Sequence, residues 1–113
     1  MEIITDKISV IKFKEMTAKM FGNLVKAVVD IEKGIMAVDG ELHADEQALL
    51  LENGSKQGDI WGINIYPDNS GEDFIEFDSV INIRPFQQNR SRGVDNPEIR
   101  KKILQVVNKL VEK

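Results

Sequence analysis

The stretch VKAVVDIEKGIMAVDG, running from Val25 to Gly40, decides the fold. Val25, Ala27, Val29 and Ile31 alternate with Lys26 and Asp30, the period of a strand with two unlike faces. Glu32-Lys33-Gly34 is a hairpin turn, and Ile35–Val38 returns beside the first strand. Asp39-Gly40 is a second strong turn signal. An antiparallel sheet is therefore expected at the centre of the chain.

Helices flank it. Toward the N-terminus, Glu2–Thr5 is a short apolar piece expected at a sheet edge. Ser9 to Phe21 places Val10, Phe13, Met16, Met20 and Phe21 at close to helical spacing, with Ser9 as N-cap and Gly22 as stop. Toward the C-terminus, Glu41–Asn53 mixes two signals. Leu42 and Ala44 fit a third strand paired through Asp39-Gly40, while Asp45, Glu46, Ala48 and Leu49–Leu51 fit a short helix ending at Gly54. Strand to about residue 43, then helix, is the expectation. Ile60–Tyr66 alternates again, and Pro67 through Gly71 is a loop. Phe74–Pro85 alternates with Ile75, Phe77, Ile81 and Ile83 on one side and Glu76, Asp78, Asn82 and Arg84 on the other, with Ser79 at a bend. Asp95 or Asn96 then caps a last helix. Pro97 fits its first turn, and Ile99, Ile103, Val106, Val107 and Leu110 form its apolar stripe. The expected fold class is α+β: a single domain over residues 1–113, a mainly antiparallel sheet with helices packed on one face, and a C-terminal helix.

The 113 residues, 42% hydrophobic and 30% charged, suffice for one core and are too few for two domains. No apolar run approaches the roughly 20 residues a membrane span needs. No basic-then-apolar leader precedes residue 20, so a cytoplasmic location is expected. The absence of cysteine excludes disulfides, thiolate metal sites and a thiol nucleophile. There is no GxxxxGK[ST], GxGxxG, Gly-x-Ser-x-Gly, HExxH, EF-hand or RNA-recognition motif, so no cofactor is expected. Sparse aromatics weaken a base-stacking surface and with it a nucleic-acid partner.

Charge is unevenly laid out. Residues 1–83 hold 7 Lys+Arg and 16 Asp+Glu, net −9; residues 84–113 hold 8 and 3, net +5. Every cation from Lys7 to Lys56 is lysine, and all four arginines fall between Arg84 and Arg100. Arginine offers a planar fork that grips carboxylate or phosphate with two parallel hydrogen bonds, whereas lysine is a flexible point charge. The cluster fits an internal network with the chain's own acids, a small external anion, or a partner protein, including a second copy of the chain.

Three groups could carry chemistry. Arg84-Pro85-Phe86-Gln87-Gln88-Asn89-Arg90-Ser91-Arg92-Gly93 gathers donors just before a helix N-terminus. Arg84, Asn89, Arg90, Ser91 and Arg92 are therefore the candidate anion-binding set. A long surface loop held by its own side chains is the plainer alternative. Glu41, His43 and Asp45 would share one side of an extended segment, and an acid beside the only imidazole suits acid–base catalysis. The same trio could hold a divalent metal, but spacing alone is weak support, and no metal site is assigned. Asn64 and Tyr66, with Glu76, Asp78, Asn82 and Arg84, would form one polar sheet surface suited to fixing a ligand, with Gln87 as a further lining residue; an ordinary water-facing side of an antiparallel sheet is the plainer alternative. Asp30 and Glu32 would serve as counter-ions to Arg84 or Arg90. The leading expectation is binding of a phosphate-bearing or nucleotide-like anion, with hydrolytic acid–base chemistry as an addition. The alternative is a protein–protein or regulatory module of toxin–antitoxin-like kind, without catalysis. Whether the chain is an enzyme stays open.

The strings VDIEKGIMA (Val29–Ala37), GELHADE (Gly40–Glu46), LLLENGSKQGDIWGIN (Leu49–Asn64) and EFDSVINIRPFQQNRSRGV (Glu76–Val94), followed by NPEIR (Asn96–Arg100), resemble a family of short uncharacterised prokaryotic proteins, the domain of unknown function DUF5674. The resemblance spans nearly the whole chain. It implies a complete protein and no particular activity. Relatives often carry Asp where Asn96 stands, and either residue caps a helix.

Overall fold

The computed structural model describes residues 1–113, and β3 (Val25–Asp30) is the middle strand of its five-stranded sheet. β4 (Ile35–Val38) returns beside it through the expected hairpin. Gly34 closes that turn at φ +69, and Asp30 Oδ1 accepts from the backbone N–H groups of Glu32 and Lys33. β5 (Ile60–Ile65) pairs along the other side of β3. β1 (Glu2–Ile4) and β6 (Ile75–Glu76) form the edges, giving the order β1-β4-β3-β5-β6, antiparallel throughout. A separate parallel pair, β2 (Ile8–Ser9) with β7 (Val111–Glu112), joins the two ends of the chain.

Alternation assigns the two faces of the sheet. Val25, Ala27 and Val29 of β3 and Trp61, Ile63 and Ile65 of β5 enter a core of 19 buried side chains. α1 (Val10–Lys19) contributes Phe13 and Met16 to it, and α3 (Pro97–Leu110) contributes Ile103, Val106, Val107 and Leu110. Both helices start where the sequence places them. Ser9 Oγ accepts from Lys12 N–H, and Asn96 Oδ1 accepts from Glu98 N–H with Pro97 in the first turn. The expected α+β class stands, with one addition. α1 and α3 hold the expected single helical face, while α2 (His43–Glu52) lies on the opposite one. There Leu50 packs on Val28, Ala37 and Ile60, residues of the other strand parity, so both faces of β3 are buried.

Two expected strands do not form as written. The segment after Asp39-Gly40 makes no third strand, because β1 and β3 already occupy both edges of β4. The chain turns at Asp39 (φ +66) and begins α2 at His43. The alternation from Phe74 to Pro85 yields only the two residues of β6, followed by a short helical turn, Val80–Asn82. The outer edge of β5 is closed there by side chains instead. The Asn82 carboxamide donates to Gly62 O and accepts from Gly62 N–H, as a neighbouring strand would. No helix is long and apolar enough to cross a membrane.

Candidate functional site

α2 and the turn at Ser79–Asn82 cover adjacent parts of the same sheet face. Between them opens a cleft of about 210 Å³. His43, the first residue of α2, and Lys26, from β3, line it with Ala44, Ser79 and Arg92. Leu42, Val80 and Ile81 supply its apolar walls. The sequence forces this close approach. Gly62 lies under the turn, where a Cβ would stand 2.6 Å from Ser79 Cβ, so only glycine lets the turn come down onto β5.

His43 is only 8% exposed. Its Nε2 lies 2.7 Å from the carbonyl oxygen of Ile63. A carbonyl only accepts, so Nε2 carries the proton and the lone pair sits on Nδ1. Nδ1 has no hydrogen-bond partner, and it is not among the fully enclosed polar atoms. Burial holds the imidazole below its usual titration range. The bond to Ile63 opposes that, Lys26 and Arg92 lower it further, and Asp78 pulls the other way. The ring is neutral at neutral pH, and it shares its cleft with Lys26 and Arg92.

The helix start adds a third source of positive potential. Leu42 occupies the N-cap position of α2 and makes no side-chain cap bond. The amides of His43 and Ala44 therefore lack the oxygen that a capping side chain would supply, whereas those of Asp45 and Glu46 donate to Leu42 O. No carboxylate lines the cleft. The nearest partner of Arg92 is Asp78, whose Oδ1 accepts from Arg92 Nε at 2.6 Å at the surface.

The candidate residues divide sharply. Arg84 is 2% exposed and donates to backbone carbonyls of Ile81 at 3.0 Å, Gln57 at 2.9 Å and Ile60. Its guanidinium lies 4.4 Å from the Trp61 ring centroid. It pins β5, its donors spent on the chain's own carbonyls. Asn89 donates to the Asn82 and Gly93 carbonyls and accepts from Asp95 N–H, and Ser91 Oγ donates to Asp95. Gln87 bridges Arg84 and Gly58 O. Arg90 is exposed, its backbone N–H held by Asp95. The donor-rich loop thus wraps itself, and Arg92 alone of the candidate arginines reaches the cleft. Glu41 and Asp45 are exposed and line other hollows, because a helix beginning at His43 turns them away from the imidazole. No group of three metal-ligating side chains converges.

The expected polar surface exists at its β5–β6 end. Asn64 Nδ2 and Tyr66 Oη both donate to Glu76 Oε1 at 2.9 Å. Burial and that acceptor hold the Tyr66 phenol above its ordinary range. Asn82, expected on this surface, is fully buried at the sheet edge, because its carboxamide takes the place of a strand. Asp30 accepts from Ser55 Oγ and meets no arginine, and Glu32 is exposed.

A family model matches residues 2–110, described as a protein of unknown function (DUF5674). The chain belongs to that family. No curated protein and no solved structure matches it. Within this DUF5674 chain, Lys26, Ser79 and the uncapped start of α2 escaped the sequence reading. Lys26 reads as the polar phase of a strand and Ser79 as a bend. Leu42 before a helix would have stood out as a missing cap, had the helix start been placed at His43.

Proposed function

We propose that the cleft between α2 and the Ser79 turn binds a small phosphate-type anion. Lys26 and Arg92 supply cationic groups, and the free amides at the start of α2 add their partial charge. The neutral Nδ1 of His43 accepts a proton or hydrogen bond from the ligand. One observation carries the assignment: His43, nine-tenths buried, keeps an unpartnered ring nitrogen in a cleft lined by Lys26 and by Arg92, whose Nε is paired with Asp78. The size favours a small ligand. Pockets for drug-sized molecules run to roughly 300–1,000 Å³, so about 210 Å³ suits a phosphate or phosphoryl head group rather than a whole buried nucleotide.

Titration with inorganic phosphate, followed by the NMR signals of the single imidazole, tests the assignment. Saturable movement of the His43 signals is expected, weakened in Lys26→Ala and Arg92→Ala. An imidazole indifferent to phosphate would overturn it.

A further inference from the structure

We infer that His43 is a phosphoryl acceptor: its Nδ1 takes a phosphoryl group covalently from a small acyl phosphate. The inference rests on the anion-binding assignment and goes beyond it, from holding a phosphate to forming a bond with one.

Four features point to a nucleophile rather than a general base. The Nε2 proton is committed to Ile63 O, so the reactive lone pair belongs to one atom, Nδ1, and that atom is unpartnered. The partner of Nε2 is a backbone carbonyl, not a carboxylate. A histidine base is commonly oriented by a carboxylate that stabilises the imidazolium, and here none touches the ring. A neutral ring in a cleft with two cations is a poor proton trap at neutral pH, yet its lone pair stays available to phosphorus. Finally, the nearest acid, Asp78, accepts from Arg92 Nε rather than lining the cleft, so it is engaged and less available to activate water against a phosphorylated histidine.

The step balances. The Nδ1 lone pair attacks phosphorus while the bond from phosphorus to the acyl oxygen breaks. The electrons of that bond leave with the acyl group as a carboxylate. Nε2 keeps its proton, and the positive charge that the ring acquires is stabilised by the Ile63 carbonyl. The phosphoryl oxygens, now attached, lie toward Lys26, Arg92 and the first amides of α2, which spread their charge in the transition state and in the product.

The full chain, incubated with acetyl phosphate and read by intact mass and by NMR of the ring, tests the inference. One phosphoryl group per chain is expected, labile to acid, stable to alkali and located on Nδ1 of His43. His43→Gln abolishes it, its amide replacing the donor to Ile63. Arg92 is exposed and Arg92→Ala leaves the core intact, so it slows the reaction by about tenfold or more while the chain stays folded. Modification on Nε2, on a lysine or on Ser79 would overturn the inference, as would a rate unchanged in Arg92→Ala. If phosphate moves the His43 signals but acetyl phosphate leaves no adduct, the covalent step falls and the binding site remains. If neither occurs, both fall.

Discussion

Gly62 stands where a methyl group has no room. Its backbone is ordinary strand, so conformational freedom is not the reason for glycine. The reason is the Ser79 side chain, whose Cβ and Oγ lie 2.6 and 2.7 Å from where a Gly62 Cβ would sit. The turn carrying Ser79 cannot simply lift away. Ser79 N–H donates to Arg92 O, and Asn82 clasps both polar atoms of Gly62 itself. Gly62→Ala is therefore expected to cost about 1–3 kcal/mol, the range for forcing a group into a packed site. Urea unfolding midpoints check it. Adding Ser79→Gly should recover much of the loss, since the two residues share one contact and their effects should not add. A Gly62→Ala chain as stable as the parent would mean that the turn does not rest on β5. The same contact sets the height of the turn over the sheet, and with it the cleft that Ser79 and Arg92 line with His43.

α2 carries a second constraint, the burial of Glu46. Its side chain is fully enclosed, with Oε2 accepting from Gly40 N–H at 2.9 Å and Oε1 buried without a partner. Burial pushes the carboxyl from 4.5 up to about 9, with Gly40 N–H and Lys26 opposing and Asp39 assisting. Between those two values the folded chain holds a proton that the unfolded chain has released. The stability linked to this group is thus fully present below pH 4.5 and is lost as the pH rises toward about 9. The slope reaches at most about 1.4 kcal/mol per pH unit. Glu46→Gln keeps the shape and has no proton to lose. Denaturation midpoints from pH 5 to 9 should fall for the parent relative to the variant, and parallel profiles would refute the neutral carboxyl. Nothing in GELHADE signals this, since an acid in the first turn of a helix ordinarily reads as exposed and dipole-favoured. What the sequence did reveal was local. The β3–β4 hairpin follows from alternation and the Glu32-Lys33-Gly34 turn, and α3 follows from Asn96, Pro97 and an apolar stripe. The failures have one cause, competition for strand edges. Leu42 and Ala44 lost their partner to β1, and Ile81 and Ile83 lost theirs to the carboxamide of Asn82. Such occupancy is decided far along the chain and leaves no mark in a short window of sequence.

At the scale of the molecule, the charge split is not cancelled internally. Of three ion pairs, Lys14–Asp68, Lys19–Asp39 and Arg92–Asp78, only the last joins the basic C-terminal stretch to the acidic body. The arginine cluster was legible as a cluster, but its division between Arg84, spent on carbonyls, and Arg92, at the cleft, depends on three-dimensional packing. The two faces of the sheet are just as unequal. One buries 19 side chains with α1 and α3; the other buries Val28, Ala37 and Ile60 against Leu50 of α2. Free energies of local opening follow buried apolar contact, so α2 should detach more readily than the sheet and its opposite face unfold. Native-state hydrogen exchange is expected to show α2 amides opening at lower free energy than those of β3 or α3. Leu50→Ala, which removes the one fully buried leucine of α2, should cost about 2–5 kcal/mol in that helix's opening. The candidate site sits at the N-terminus of this weaker element, so the proposed binding would couple ligand and helix thermodynamically. A phosphate held by the first amides of α2 binds only the closed form, and saturating phosphate should slow exchange in α2 while leaving the globally exchanging core of β3 protected by no more than the same increment. Exchange in α2 that matches the core without ligand, or that phosphate leaves unchanged, would show that the helix is not the movable wall of the cleft.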